Sequence, residues 1–245
     1  MAHIKLLERF WRKRGVCRMR RYRHEYKYII DETQEIFLYT LAQGILQRDS
    51  HVQADGMYTI RSLYFDDPYD SCFYENMNGT DPRSKFRIRY YNHDLTQIRL
   101  EKKSKMRGMT HKVACSLTME ECLYQMQGKY ILPTEQMPKE KTELLLEMQM
   151  RLLQPKVIVT YDRIPFVYSG GNVRITFDKN ITASKEISSF LDGDYRQRPV
   201  MAYSQSILEI KWDELLPLHI QEILQLDTLR WSTFSKYYMC RNYNL

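Results

Sequence analysis

The sequence of 245 residues has no apolar run near the roughly 18 residues that a membrane-spanning helix needs. Its N-terminus lacks the apolar core and small-residue cleavage site of a secretory signal. The five cysteines are scattered, and no two have the C-x-x-C spacing of a zinc or redox site. Walker loops, kinase loops and Ser-His-Asp arrangements are also missing. These absences predict a soluble cytoplasmic protein without a disulfide framework.

Positive charge is what the sequence has in excess. Lysine and arginine number 37 against 30 acidic residues, which gives a formal charge of +7, and 43% hydrophobic residues suffice for a core. Residues 1–20 are especially basic, and we interpret them as a helical extension on a single domain over 21–245. A surface helix is the simplest reading of that extension. A phosphate-rich partner or peripheral contact with an anionic membrane stays open.

Most of the remaining chain has the alternation of strands. The pattern predicts strands over 22–30, 58–65, 85–91, 97–105, 111–117, 157–168, 173–178 and 207–212. It predicts helices over 34–48, 119–126, 140–153 and 217–226. We therefore expect an α+β fold, in which eight antiparallel strands close into a β-barrel and the helices pack outside.

The charged residues of these strands share one face. The basic members, with one from the C-terminal segment, are Arg23, Lys27, Lys85, Arg87, Arg89, Arg99, Lys103, Lys105, Arg163, Arg174, Lys211 and Lys236. The acidic members are Glu25, Glu101, Asp178 and Glu209. Lys112 belongs either to the mouth of the barrel or to a solvated loop.

One such strand would simply turn its polar face to water, but several together predict a charged interior. Twelve bases against four acids leave an excess of eight positive charges, close to the +7 of the whole chain. Buried unpaired charges cost several kcal/mol each, so the interior needs a multiply anionic ligand, and polyphosphate fits best. The acids among these bases suggest a divalent cation, Mg²⁺ or Mn²⁺, bound by carboxylates and phosphate oxygens.

Eight short motifs occur in order along the chain and carry a resemblance. They are Arg23-x-Glu25-x-Lys27, Ser62-Leu63-Tyr64-Phe65-Asp66, Lys85-x-Arg87-Ile88-Arg89-x-Tyr91, Leu100-Glu101-x-Lys103-x-Lys105, Tyr161-x-Arg163, Val173-Arg174-Ile175-Thr176-x-Asp178, Leu208-Glu209-Ile210-Lys211 and Ser235-Lys236-Tyr237. From about Arg21 to Tyr238 the sequence resembles the catalytic domain of the vacuolar transporter chaperone (VTC) family, of the triphosphate tunnel metalloenzyme superfamily. The resemblance implies an eight-stranded tunnel with outer helices.

The resemblance also implies a function: a polyphosphate polymerase that moves the γ-phosphoryl group of ATP to a growing inorganic polyphosphate chain. The implied catalytic residues are Lys27, Arg87, Arg89, Arg163 and Lys236. The implied phosphate-binding residues are Arg23, Lys85, Lys103, Lys105, Arg174, Lys211, Tyr64 and Ser235. Glu209, with Glu101 and Glu25 as helpers, would bind Mn²⁺ or Mg²⁺.

The first strand departs from the pattern of other superfamily branches, which often read E-x-E-x-K. Arg23 replaces the first glutamate here, which favours the polymerase branch over the adenylate cyclase and thiamine triphosphatase branches. Eukaryotic VTC proteins add a phosphate-sensing domain and membrane helices that this sequence lacks, so we expect a stand-alone form.

Other functions stay open. Attack by water would make the same site a triphosphatase, and loss of turnover would leave a polyphosphate- or nucleotide-binding module. Nucleic acid is not an expected partner, because its basic residues would lie on an outer stripe.

Overall fold

A computed structural model describes residues 23–49, 52 and 56–243 of the chain. The predicted N-terminal extension over 1–20 lies outside the described residues. None of the helices in the described part has the length and apolar composition needed to cross a membrane.

One antiparallel sheet forms the body of the fold. Its eight long strands are β1 (His24–Asp31), β3 (Tyr58–Asp66), β4 (Arg83–Tyr91), β5 (Asp94–Met106), β6 (Met109–Ser116), β7 (Gln154–Tyr168), β8 (Val173–Ser184) and β10 (Gln205–Trp212). They follow the order β1-β10-β8-β7-β3-β4-β5-β6, while the short β2 (Gln47–Arg48) pairs with β7 and β9 (Arg198–Pro199) with β8. The expected α+β fold with eight antiparallel strands is confirmed.

The two edge strands, β1 and β6, meet at a seam. At one end of the seam, Arg23 and Thr110 exchange two backbone hydrogen bonds of 3.3 and 3.4 Å. Further along β1 the C-terminal segment pairs with the strand edge: Trp231 bridges to Tyr28, and the Ser232 N–H donates to the Lys27 carbonyl at 2.8 Å. The curled sheet therefore closes by one strand contact and one inserted segment rather than by full pairing of its edges.

Helices cover the outer surface of the sheet. They are α1 (Glu32–Ile45), α2 (Ser71–Met77), α3 (Met119–Met126), α4 (Lys139–Met150), α5 (Leu218–Ile223) and α6 (Lys236–Asn242). Helix α1 starts with a capping box between Asp31 and Gln34. The predicted helix over 34–48 was wrong at its end, because Gln47 and Arg48 pair with β7 instead of continuing the helix. The sequence pattern did not predict α2.

The apolar face of the strands packs against these helices. On β4 and β5 the residues Phe86, Ile88 and Leu100 are fully buried and belong to one cluster with Leu144 and Met148 of α4. The opposite face of the same strands carries their charged residues. This alternation follows from the two-residue period of a strand, and it directs the charges to the concave side of the sheet.

Candidate functional site

The concave side of the sheet encloses an inner cavity of about 80 Å³. No residue that lines it is exposed. The lining comprises Lys27, Tyr64, Lys85, Arg87, Arg89, Lys103, Tyr161, Arg163, Glu209, Lys211, Ser235, Lys236 and Tyr237. Eight of these side chains are basic and one is acidic, so the cavity concentrates positive charge from five strands and one helix.

An outer cavity of about 70 Å³ adjoins the inner one at the seam. Lys27, Lys85, Lys103 and Ser235 line both cavities. The residues found only in the outer lining are Glu25, Asn76, Arg83, Lys105, Gly108, Thr110, Trp231, Ser232, Thr233 and Phe234. Because Gly108, Trp231 and Thr233 are exposed, this cavity opens to solvent. We call the two cavities together the tunnel.

Two arginines of β4 are oriented by side chains of other strands in the sheet. Arg87 donates from Nε and Nη2 to Glu101 at 2.8 and 2.7 Å, and from Nη1 to the Tyr64 hydroxyl at 2.9 Å. Arg89 donates to the hydroxyls of Ser62 at 3.2 Å and Tyr161 at 3.1 Å. These contacts fix two planar guanidinium groups at the cavity wall before any ligand arrives.

A second group joins β7, β8, β10 and helix α6. Arg163 forms a two-point contact with Asp178 at 2.6 and 2.7 Å and also donates to Glu209 at 3.0 Å. Lys236 reaches Asp178 at 2.5 Å and lies 4.7 Å from the centre of the Tyr161 ring. Burial raises the pKa of Asp178, but Arg163 and Lys236 outweigh it and hold that pKa below its usual value. Asp178 is therefore a fixed negative charge between two cations.

The third group lies where the two cavities meet. Glu25 accepts from Lys27 at 2.8 Å and from Lys103 at 2.7 Å, and Lys27 also lies 3.7 Å from Glu209. Burial raises the pKa of Glu25, but Lys103, Lys27 and Lys211 together outweigh it and hold that pKa well below its usual value, so the carboxylate stays ionised. Burial likewise opposes ionisation of Glu209, and Lys211, Lys27 and Arg163 together bring its pKa well below the usual value.

Lys85 differs from the other lysines that line the inner cavity. Its ammonium donates to the Ser235 hydroxyl at 2.7 Å, and no carboxylate of the described residues lies within ion-pair distance. Burial, followed by the cations of Lys27 and Lys103, lowers its pKa well below 10.5. Burial also lowers the pKa of Lys211 to about 8, despite its contact with Glu209 at 2.8 Å.

Most of the predicted site residues line the tunnel, but Arg23, Arg174 and Glu101 do not. Arg23 lies at the seam and pairs with Asp213 at 2.8 Å. Arg174 donates to Asp49 at 2.6 Å and to the Tyr58 hydroxyl at 2.8 Å. Glu101, only 1% exposed, lies behind Arg87, and the predicted face member Arg99 is exposed to solvent.

Several contributors were missed or left open at the sequence level. Asp178 was counted among the charged residues, but no role was assigned to it. Lys112 lies on β6, not on a loop, and contacts Glu101 at 2.5 Å. Tyr161 and Tyr237 line the inner cavity, and both occur inside the recognised motifs, which was the available signal.

The carboxylates fit a divalent cation only in part. No group of three or more metal-binding side chains occurs among the described residues. Glu25 and Glu209 are both ionised and both lie near the Lys27 ammonium, so their chemistry suits Mg²⁺ or Mn²⁺. Their oxygens already contact cations, and a metal held there would need the remaining ligands from phosphate.

Comparisons with known proteins agree with this arrangement. Among curated protein sequences none matches the chain. A proposed adenylate cyclase from Bacillus halodurans shares the fold at 14% identity, covering 87% of this chain and 95% of its own, with a TM-score of 0.52. HpAC1 from Hippeastrum, a proposed adenylyl cyclase described as having a dominant triphosphatase activity, is 11% identical, with coverage of 92% and 97% and a TM-score of 0.54.

Both likenesses show the fold alone, because identity is low. The sequence itself is matched over residues 22–243 by the family model described as the VTC domain. That range contains every residue of the tunnel and all eight long strands. The chain belongs to the VTC domain family.

Proposed function

We propose that this chain is a polyphosphate polymerase that transfers the γ-phosphoryl group of ATP to the end of an inorganic polyphosphate chain. The observation that carries the proposal is the lining of the inner cavity, with eight basic side chains and one acidic one. Glu25, Glu101, Asp178 and Glu209 pair with several of these cations, but eight bases against four acids still leave an excess of four positive charges. A ligand that brings several negative charges would compensate this largely buried excess. A linear triphosphate or polyphosphate brings them in a row.

The arrangement of the arginines suits phosphoryl transfer. Arg87, Arg89 and Arg163 are already oriented by carboxylates and hydroxyls, so little reorganisation is needed when charge develops on the phosphoryl oxygens. Guanidinium forks also match phosphate in two-point contacts. Catalysis in this tunnel then consists of positioning and charge stabilisation.

The proposed step conserves atoms and charge. A terminal oxygen of the polyphosphate chain attacks the γ-phosphorus of ATP, the bond between that phosphorus and the β–γ bridging oxygen breaks, and ADP leaves. The acceptor chain becomes longer by one phosphate. Lys236 and Arg163, which converge on Asp178, would stabilise the negative charge of the transferring group.

Glu209 and Glu25 would hold Mn²⁺ or Mg²⁺ in this proposal. When bound, the ion would supply charge neutralisation on phosphate oxygens. Glu101 was proposed as a further ligand from the motif. Its position behind Arg87, with Lys112 on its other oxygen, supports a role through these two cations instead.

We also propose that the protein works in the cytoplasm, with ATP and polyphosphate as its partners. Among the described residues, Cys72, Cys115 and Cys122 have free thiols, which supports a reducing compartment.

The test is incubation with ATP and Mn²⁺ or Mg²⁺, followed by separation of the products. ADP together with long polyphosphate is the expected result. Lys236→Ala and Arg89→Ala should each abolish turnover without unfolding the protein. Glu209→Gln should raise the metal concentration needed for half-maximal activity.

Other outcomes would change the assignment. Free phosphate as the sole product, with or without a polyphosphate primer, would make water the acceptor and the protein a triphosphatase. Tight triphosphate binding without turnover would leave a binding module. Undiminished activity in both the Lys236 and Arg89 variants would remove the tunnel as the active site.

A further inference from the structure

Several basic residues of the outer cavity have no carboxylate partner among the described residues. Arg83, Lys85 and Lys105 line it, and none of them has an ion-pair partner among the described residues. Arg83 donates only to two backbone carbonyls, and Lys85 to one hydroxyl. The single carboxylate of the lining, Glu25, is already engaged by Lys27 and Lys103. The outer cavity therefore extends the attraction for anions from the inner cavity toward solvent.

An aromatic residue lies at the rim of this cationic cavity. Trp231 belongs to the lining and leaves 55% of its surface exposed. Its backbone is held against the edge of β1, through the bridge to Tyr28 and the Ser232 hydrogen bond to Lys27. A large exposed ring on a fixed backbone is suited to stack against a flat ligand, and the anion site begins directly beside it.

The inner cavity could not accept a nucleobase. None of its lining residues is exposed, and its walls are mostly charged groups whose interactions an uncharged ring would not replace. A ligand with a flat base and a chain of phosphates would therefore enter phosphates first. Its base would remain at the solvent-open end of the tunnel.

We propose that the outer cavity is the entrance for the nucleotide, where a nucleoside triphosphate stacks its base on Trp231 while Lys85, Lys103 and Lys105 receive its phosphates. This inference rests on the proposed function only in taking a nucleoside triphosphate as the donor. It assigns the direction of entry: the nucleotide comes through the solvent-open mouth of the outer cavity, beside Gly108, Trp231 and Thr233. It also separates base recognition from phosphate recognition.

The test compares two ligands that share a phosphate chain. Titration calorimetry measures the Kd of ATP and of inorganic tripolyphosphate in EDTA, for the whole chain and for Trp231→Ala, Trp231→Phe and Tyr203→Ala. Base stacking on an aromatic side chain contributes about 1–3 kcal/mol, so Trp231→Ala should raise the Kd of ATP roughly 5- to 150-fold. The Kd of tripolyphosphate should stay within about twofold, and Trp231→Phe should retain most of the ATP affinity.

Tyr203 is the matched control, because it is 92% exposed and lines neither tunnel cavity. Its substitution should change neither Kd. As a second measurement, ATP but not tripolyphosphate should quench tryptophan fluorescence, and Trp231→Phe should remove that quenching. Unchanged ATP affinity in Trp231→Ala, or equal weakening of both ligands, would overturn the proposal.

These results are distinguishable from a failure of the proposed polymerase. A chain that makes no polyphosphate but loses ATP affinity selectively in Trp231→Ala would keep the base site and lose the polymerase assignment. A chain that makes polyphosphate but shows no selective loss of ATP affinity would keep the polymerase assignment and lose the base site.

Discussion

The tunnel contains two kinds of basic residue, and they have different tasks. Arg163, Lys236 and Arg87 each contact a buried carboxylate, so their positions are fixed in the free protein. Lys85 has only the Ser235 hydroxyl, so among the lysines of the inner cavity its ammonium depends most on a ligand for charge compensation. The paired cations define the geometry of the tunnel, while the unpaired ones set its affinity for anions.

The unpaired state of Lys85 predicts proton uptake on binding. Burial and the neighbouring lysines lower its pKa, so the free protein loses this proton below pH 10.5. A bound phosphate favours the charged form and raises the pKa again. Tripolyphosphate binding should then cause the protein to take up a fraction of a proton, and affinity should fall as pH rises through the range in which Lys85 loses its proton.

Calorimetry in buffers of different ionisation enthalpy measures this uptake directly. Lys85→Arg is the control, because arginine stays protonated and should reduce the uptake while retaining the charge. The reduction should be partial, since the pKa of Lys211 is also lowered, to about 8. Equal uptake in the variant and the parent would assign the proton to another group.

At the scale of elements, helix α6 supplies Lys236, a tunnel cation that does not come from a strand. Asp66, fully buried at the end of β3, anchors this helix. One of its oxygens accepts from the backbone N–H of Phe73 in α2 at 2.9 Å and from the Tyr237 hydroxyl in α6. Burial and Asp66 together raise the pKa of Tyr237, so it remains a hydrogen-bond donor. Tyr237 also stacks on Tyr64, with ring centres 5.1 Å apart.

This anchor predicts a coupled loss of stability and affinity. Asp66→Asn should lower the free energy of unfolding by about 1–3 kcal/mol, and Tyr237→Phe by about 1 kcal/mol, because each leaves a buried polar group without its partner. Both should also weaken tripolyphosphate binding, since α6 positions Lys236. Urea denaturation and calorimetry measure the two effects.

A core substitution far from the tunnel serves as the matched control. Ile220 of α5 is fully buried in another apolar cluster, and Ile220→Val should cost about 0.5–1.5 kcal/mol without changing affinity. If Asp66→Asn lowered stability and left tripolyphosphate affinity intact, the anchor would be structural only.

Strand alternation was the part of the site that the sequence could predict. On β4 the basic residues Lys85, Arg87 and Arg89 alternate with Phe86, Ile88 and Tyr90, and the structure separates the two sets completely, because a strand has a period of two. Local periodicity therefore identified the charged lining without any knowledge of strand order.

Contacts made by irregular segments could not be predicted in this way. Gln47 and Arg48 extend the helical pattern of α1, yet they pair with β7, which brings Asp49 to Arg174 and removes that arginine from the tunnel lining. Trp231 has no periodic neighbours, and its place at the seam depends on which edges the curled sheet leaves open. Such placements are decided by closure of the whole sheet.

For the whole molecule, the concentration of charge in the tunnel opposes folding until an anion is bound. Tripolyphosphate at about 100 times its Kd should add about 2.7 kcal/mol to the free energy of unfolding and raise the Tm by roughly 5–10 °C for a chain of this size. Sodium chloride should shrink that increase, since salt screens repulsion in the free protein and competes with the ligand. Differential scanning calorimetry measures the Tm increase and its reduction by salt.

Sulfate at equal ionic strength is the control: it carries fewer charges, cannot span the paired and unpaired cations together, and should raise the Tm far less. Equal Tm shifts from the two anions would mean that ionic strength, and not binding of a linear phosphate chain in the tunnel, stabilises the protein.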